Sequence, residues 1–340
     1  MDSKLLTQTA RAMVAPGKGL LAADESAGTC KKRFDSVNVE CTEENRRAYR
    51  EMLLTTPGLA QHVSGVILFD ETLRQKTREG QPFAEFLNRN GIIPGIKVDA
   101  GAQDMALRPG EKLTEGLDGL RKRLDEYFKL GARFAKWRAV ITIGKDIPSS
   151  GCIEANAHAL ARYSALCQEA SIVPIVEPEV LLDGDHSVER CHEVTERTLQ
   201  ELFAQVAAQG CAPEHVILKA SMVVSGKENA RQASVQEVAE RTLKVLLRTV
   251  PAALPGVVFL SGGQTDENAT AHLDAMNRAG TAPWPLTFSY SRALQAIALK
   301  TWRGNAANVP AAQSAFLHRA RMNGLAARGQ WSAEQEKKAA

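Results

Sequence analysis

Seven charged residues stand inside segments that are otherwise apolar: Lys97 and Asp99, Lys136 and Arg138, Glu177 and Glu179, and Lys219. In an extended strand residues two apart share a face. Lys136 and Arg138 therefore point the same way, and so do Glu177 and Glu179. If those faces meet, two cations on one strand approach two carboxylates on the next, and Lys219 arrives from the strand after. A buried ion network could do no more than hold such a core together, but desolvation offsets most of the Coulomb gain of buried pairs. The set is better explained by chemistry. A lysine is a nucleophile only as the free amine, and burial among Val216, Ile217 and Leu218 beside a second cation at Lys136 favours that form. Such an amine condenses with a carbonyl to a Schiff base. The imine nitrogen then withdraws electrons as a carbon–carbon bond breaks, and a carboxylate shuttles the protons.

Two further segments have the composition of phosphate sites. Leu260-Ser261-Gly262-Gly263 and Ser289-Tyr290-Ser291-Arg292 each follow an apolar stretch. Glycines let backbone N–H groups approach an oxyanion, and the arginine supplies the opposite charge.

The elements that must position these groups are short segments rich in Val, Ile and Leu at 18–24, 65–71, 92–99, 133–141, 172–180, 216–222, 257–263 and 286–290. Helical patterns separate them. Leu113, Leu117, Leu120 and Leu124 predict a helix over 112–130, stopped by Gly131, and Ser234 with Glu237 forms a capping box for a helix that ends before Pro251. Strand–helix alternation implies parallel strands with helical crossovers. Eight units at a spacing of roughly forty residues predict a single (β/α)8 TIM barrel, with the charged residues towards the C-terminal ends of the strands, where barrels carry their catalysis. No GxGxxG follows the first strand, which argues against a dinucleotide-binding sheet. With no internal linker, residues 1–328 read as one barrel domain. Residues 329–340, polar, charged and Ala-rich, read as a solvated tail.

Composition narrows the partners. Hydrophobic residues make up 44 % of the 340, charged residues 24 %, and the net charge is +3, so the chain has no large basic excess to hold a polyanion. The basic clusters, Lys31-Lys32-Arg33 and Arg121 to Arg123, are short enough to be solvated faces, and no nucleic-acid partner is expected. No run reaches the ~18 apolar residues of a membrane span, and the N-terminus lacks an apolar signal segment, so a cytoplasmic protein without membrane attachment is expected. The six cysteines, at 30, 41, 152, 167, 191 and 211, form no CxxC and are expected to stay reduced. The seven histidines form no HxH or HExxH, and His186 and His192 are poorly spaced for a helix face; no metal is expected.

Taken together, Leu21-Ala22-Ala23-Asp24-Glu25-Ser26, Gly95-Ile96-Lys97-Val98-Asp99, Phe134-Ala135-Lys136-Trp137-Arg138, Val176-Glu177-Pro178-Glu179, Leu218-Lys219, Leu260-Ser261-Gly262-Gly263 and Phe288-Ser289-Tyr290-Ser291-Arg292-Ala293-Leu294-Gln295 resemble class I fructose-bisphosphate aldolase. The likeness runs from the first helix to around residue 325. It implies a phosphorylated ketose substrate, no metal or other cofactor, and a homotetramer. By the same resemblance Lys219 is the Schiff-base lysine and Glu177 the principal general acid and base, with Lys136 assisting carbinolamine chemistry. Asp24 manages the hydroxyl proton at the carbon being cleaved, and Glu179 orients its neighbours. Ser261, Gly262, Ser291 and Arg292 would hold the phosphate nearest the ketone. Lys97 and Arg138, with Ser26 and Thr29, would hold the hydroxyls and the far phosphate.

The sequence departs from the family at three places. Ala220-Ser221 follow the Schiff-base lysine where Pro-Asn is usual, Ser291 stands where glycine is usual, and the terminal tyrosine of the animal enzymes is absent. The tail is accordingly expected to take no catalytic part, and its removal after Arg328 to leave cleavage nearly unchanged. A metal-dependent aldolase, a transaldolase and a barrel that has lost catalysis are the competing readings. The absence of metal-ligand spacing disfavours the first, the paired Lys136/Arg138 and Glu177/Glu179 motifs disfavour the second, and the presence of every polar residue with a chemical role disfavours the third.

Overall fold

The computed structural model of this chain describes residues 1–337. In chain order the elements are α1 (Ser3–Met13), β1 (Gly19–Ala23), α2 (Ala27–Asp35), α3 (Glu43–Leu54), β2 (Val63–Leu68), α4 (Asp70–Arg74), α5 (Phe83–Arg89), β3 (Ile93–Lys97), β4 (Gly101–Asp104) and β5 (Lys112–Glu115). They continue with α6 (Leu120–Lys129), β6 (Phe134–Ile141), α7 (Ser150–Glu169), β7 (Val173–Val180), α8 (Val188–Ala208), β8 (Ile217–Ala220), α9 (Val235–Thr249), β9 (Val257–Phe259), α10 (Asp266–Ala279), β10 (Leu286–Tyr290), α11 (Arg292–Trp302), α12 (Val309–Ala326) and α13 (Ala333–Glu336). Eight parallel strands close into a barrel in the order β1-β10-β9-β8-β7-β6-β3-β2, and the helices between them cover the outside. The fold is the TIM barrel that the alternation predicts.

Period-two alternation explains how the barrel places chemistry at one end. Leu20, Ala22, Ile67, Phe134, Val173, Ile175, Ile217 and Val258 form one buried cluster with Leu6, Ala10 and Met13 of α1. These are the inward rows, plugged at the N-terminal end by the apolar stripe of α1. The same rows continue in steps of two to Asp24 after Ala22, Lys136 and Arg138 after Phe134, Glu177 and Glu179 after Ile175, and Lys219 after Ile217. Each row is thus apolar where it is sealed and charged where it opens. The outward rows pack against the helices in a separate, larger cluster.

Gly95 shows how tightly the sealed half is filled. A Cβ there would lie 2.2 Å from the ring of Phe134, which is itself fully buried. Gly95→Ala is expected to destabilise the protein by about 1–3 kcal/mol through overpacking, read as a lower thermal midpoint. An unchanged midpoint would show that the ring has room to move.

Four expectations are corrected. The helix predicted over 112–130 starts only at Leu120, because Lys112–Glu115 pairs antiparallel with Gly101–Asp104 as a hairpin beside the barrel. Gly116 at φ 128° and Gly119 at φ 67° break the pattern that Leu113 and Leu117 imitate. The tail does not stand free from residue 329. The Trp331 amide donates to Asp274 Oδ1 at 2.8 Å, the indole donates to Glu336 Oε1 at 2.9 Å, and Arg319 pairs with the same carboxylate. Trp331 and Glu336 thus anchor this segment to the barrel; the rest of the tail, beyond 337, lies outside the described residues. The capping serine is confirmed, since Ser234 accepts the Glu237 amide at 3.2 Å, but the Glu237 carboxylate bonds Arg241 and Arg231 instead of returning to the cap. Strand ends are also shorter than expected: Asp70 and Glu71 already belong to α4, and β9 stops at Phe259, leaving Ser261 and its glycines as a loop. No helix among the described residues is long and apolar enough to cross a membrane, and no cysteine among them is in a disulfide.

Candidate active site

The inward rows of β1, β3, β6, β7 and β8 end around one open cavity of about 670 Å³ at the C-terminal mouth. Asp24, Ser26, Thr29, Lys97, Lys136, Arg138, Glu177, Glu179, Lys219, Ser261, Gly262, Ser291 and Arg292 all line it. The structure thus brings together every site residue expected from the sequence.

Lys219 is buried at the bottom, with Nζ 3.0 Å from Glu177 Oε1. The other oxygen, Oε2, lies 3.3 Å from Lys136 Nζ but makes no hydrogen bond among the described residues. Glu177 thus stands between the two lysines, within reach of both for proton transfer. Lys136 pairs more closely with Asp24, at 2.7 Å. Burial pushes the Asp24 carboxyl up, but Lys136, Lys219 and Lys97 outweigh it and hold it well below the usual carboxylate range. Burial likewise opposes the Lys136 charge, and Asp24, Glu177 and Asp99 reverse that, so this lysine stays protonated.

Two supporting pairs flank this centre. Lys97 Nζ lies 2.7 Å from Asp99 Oδ1 and donates to the Asp99 carbonyl at 2.9 Å, while Asp99 Oδ2 accepts the Arg138 amide at 3.3 Å. The Arg138 side chain is ion-paired with Glu179. Burial disfavours the Arg138 charge, yet Glu179 more than compensates and raises its affinity for the proton.

The anion-binding ends are built by loops and helix starts. Gly262 and Gly263 take φ 58° and 94° after β9, conformations that favour glycine, and a Cβ on Gly263 would meet the Arg292 guanidinium at 3.3 Å. Arg292 opens α11, where helix N–H groups favour an anion. It makes no ion pair or side-chain hydrogen bond among the described residues, so its charge is unspent. Ser291, which replaces the family's usual glycine, sits at φ −107°, where a side chain is tolerated. Its hydroxyl donates to Glu25 Oε1 at 2.7 Å and accepts from Arg33 at 3.0 Å, which leaves its backbone N–H rather than its hydroxyl for an oxyanion. Ser26 caps α2 by accepting the Thr29 amide. The departure after the lysine is also accommodated locally: Ala220 is buried in β8, and the Ser221 hydroxyl donates to the Val180 carbonyl at 3.0 Å, tying the ends of β8 and β7 together.

Sequence reasoning missed several groups around the cavity. Lys32, Arg33 and Ser36 line it from α2 and its end, and Ser289 projects a buried hydroxyl that has no partner among the described residues. Glu25 is the hub behind them. It pairs with Arg33 and with buried Arg50 at 2.6 Å and accepts from Gln295 at 3.0 Å. Burial raises its pKa, but Arg50 and Arg33 prevail and keep it below the ordinary range. The inward alternation of β10 (Thr287, Ser289) could have found Ser289; nothing local announces Arg50. The lining carries seven cationic side chains against five acidic ones, an excess that suits an anionic ligand.

A closed parallel barrel with buried lysines and carboxylates at its mouth, and with unspent cationic charge at the rim, has the form of a barrel enzyme for an anionic substrate. The family model described as fructose-bisphosphate aldolase class-I matches residues 5–340. A probable fructose-bisphosphate aldolase class 1 from Xanthomonas campestris is 63 % identical over 332 residues, covering 97 % of this chain and 99 % of the relative. The cytosolic fructose-bisphosphate aldolase 4 of Arabidopsis thaliana is 52 % identical, covering 92 % of this chain and 80 % of the relative. Among solved structures, the fructose-bisphosphate aldolase of Plasmodium falciparum, in a ternary complex with TRAP and a small-molecule inhibitor, superposes with a TM-score of 0.96 at 48 % identity, covering 97 % of this chain and 96 % of that one. The chain belongs to the class I fructose-bisphosphate aldolase family, and is a lyase of the aldolase type.

Proposed function

We propose that this chain reversibly cleaves fructose 1,6-bisphosphate to dihydroxyacetone phosphate and glyceraldehyde 3-phosphate through a Schiff base at Lys219. The observation that carries this reading is the buried contact of Lys219 Nζ with Glu177 Oε1 at 3.0 Å, at the bottom of a cavity with cationic ends. Transfer of a proton from Lys219 to Glu177 frees the amine to add to the C2 carbonyl. Glu177 returns the proton to the carbinolamine hydroxyl, which leaves as water, and Lys136 stabilises the oxygen as charge develops. The iminium then draws electrons from the C3–C4 bond. Asp24, kept ionised by Lys136, accepts the C4 hydroxyl proton as the aldehyde departs. Glu179 holds Arg138, and Asp99 holds Lys97, in place for the substrate hydroxyls and the far phosphate. Lys32 and Arg33 add positive charge to the same lining, Arg33 directly beside Ser291.

No metal takes part in this scheme, so turnover in a coupled assay should survive thorough treatment with a chelator. The cytosolic relatives and the reaction itself support a cytoplasmic enzyme of glycolysis and gluconeogenesis, and the family supports a homotetramer.

The two ends of the cavity are separable. Arg292→Ala is expected to weaken dihydroxyacetone phosphate and fructose 1,6-bisphosphate alike, by roughly 10- to 100-fold, the effect of losing a charge-assisted contact. Arg138→Ala should raise KM for fructose 1,6-bisphosphate and spare fructose 1-phosphate, which lacks the far phosphate. Equal losses on one-phosphate and two-phosphate substrates for both variants would contradict the assignment of ends.

A further inference from the structure

The docked tail reaches the phosphate loops through one guanidinium. Arg319, on α12, is buried, and its Nη1 donates to both carboxylate oxygens of Glu336 at 2.6 Å. Its Nη2 donates to Thr270 Oγ1 at 2.6 Å and to the Asp266 carbonyl at 3.0 Å, both in the first turns of α10. Its Nε donates to the Ala293 carbonyl at 3.4 Å, in the first turn of α11. These two helices are the ones that the loops Ser261-Gly262-Gly263 and Ser291-Arg292 lead into. A planar guanidinium presents its donors in a rigid fork, so fixing one side of the fork fixes the others.

Glu336 is the carboxylate ion-paired with Arg319 among the described residues. The indole of Trp331 donates to it at 2.9 Å, and His318 Nε2 lies 3.2 Å from it. Burial opposes its charge, but Arg319, Trp331 and His318 prevail and hold it below the ordinary carboxylate range, so the contact persists at neutral pH. Without Glu336 the buried Arg319 would keep only uncharged acceptors. A buried cation that has lost its counter-charge draws in water or shifts towards solvent. Either response loosens the ends of α10 and α11 relative to each other.

We propose that Glu336 is a positioning residue: by clamping Arg319, it sets the relative placement of the two phosphate loops and hence the affinity for the phosphate nearest the ketone. The proposal rests on the aldolase reading of the cavity. It gives the tail a part in binding, and leaves the bond-breaking step to the barrel.

The test compares full-length Glu336→Ala, Glu336→Gln and a chain ending at Arg328 with the wild type. Glu334→Gln is the control, since Glu334 is exposed on the same helix, makes no ion pair or side-chain hydrogen bond among the described residues, and loses the same charge. Glu336→Ala and the truncation are expected to raise KM for fructose 1-phosphate, and the dissociation constant of dihydroxyacetone phosphate, by about 3- to 10-fold, as for the loss of one or two hydrogen bonds. In both, kcat should stay within about twofold. Glu336→Gln, whose amide oxygen still accepts from Arg319, should recover part of the loss, and Glu334→Gln should match the wild type. A lower thermal midpoint with both constants unchanged would make the contact merely structural and overturn the proposal. A fall in kcat at constant KM, or equal shifts in the control, would overturn it too. If the wild type shows no turnover, the functional reading fails instead, and the clamp is judged on dihydroxyacetone phosphate binding.

Discussion

Lys219→Ala is expected to lose on the order of 10⁵- to 10⁶-fold in turnover while the barrel remains folded, an effect of the size found when a covalent nucleophile is removed. The expectation follows from where the amine sits. Lys219 ends the inward row of β8, is 4 % exposed, and has its Nζ at ion-pair distance from a carboxylate that also faces Lys136. Lys136 cannot substitute for it, because Asp24 at 2.7 Å holds that second ammonium protonated. If the cluster served only to hold the barrel together, the same variant would lower the thermal midpoint and retain turnover. Circular dichroism and a coupled assay on one preparation separate the two outcomes.

Glu177→Gln should cost about 10²- to 10⁴-fold in kcat, the usual range for a positioned proton-transfer group. The amide fits the same space between Lys136 and Lys219 but cannot carry the proton from the attacking amine to the departing hydroxyl. Substrate affinity should change much less, because Arg292, proposed to hold phosphate, forms no ion pair with Glu177 among the described residues. A variant that binds and turns over substrate normally but unfolds at ordinary temperatures would assign Glu177 to the ion network instead.

The sequence makes the barrel and the centre of the site legible for the same reason. Charges at steps of two inside apolar strands, as in Lys136/Arg138 and Glu177/Glu179, report both an inward face and a rim, and period-two geometry leaves little freedom in where they point. What stays hidden depends on pairing between distant segments. Glu25 follows Asp24 directly, and its importance becomes visible only when Arg50 on α3 and Gln295 on α11 close around it. Leu113 and Leu117 have helical spacing with the residues after them, yet two glycines and a partner strand at 101–104 prevail over that spacing. The tail is polar by composition, and its docking depends on a buried arginine seventeen residues upstream. Local pattern has no means of recording such contacts.

The central claim, a covalent imine on Lys219, is tested most directly by borohydride reduction in the presence of dihydroxyacetone phosphate, followed by peptide mapping. The mechanism predicts one stable adduct, on Lys219, formed equally well after chelation, with Lys219→Ala unlabelled. An adduct on another lysine such as Lys136, or full turnover with no adduct and complete loss of activity on chelation, would contradict it.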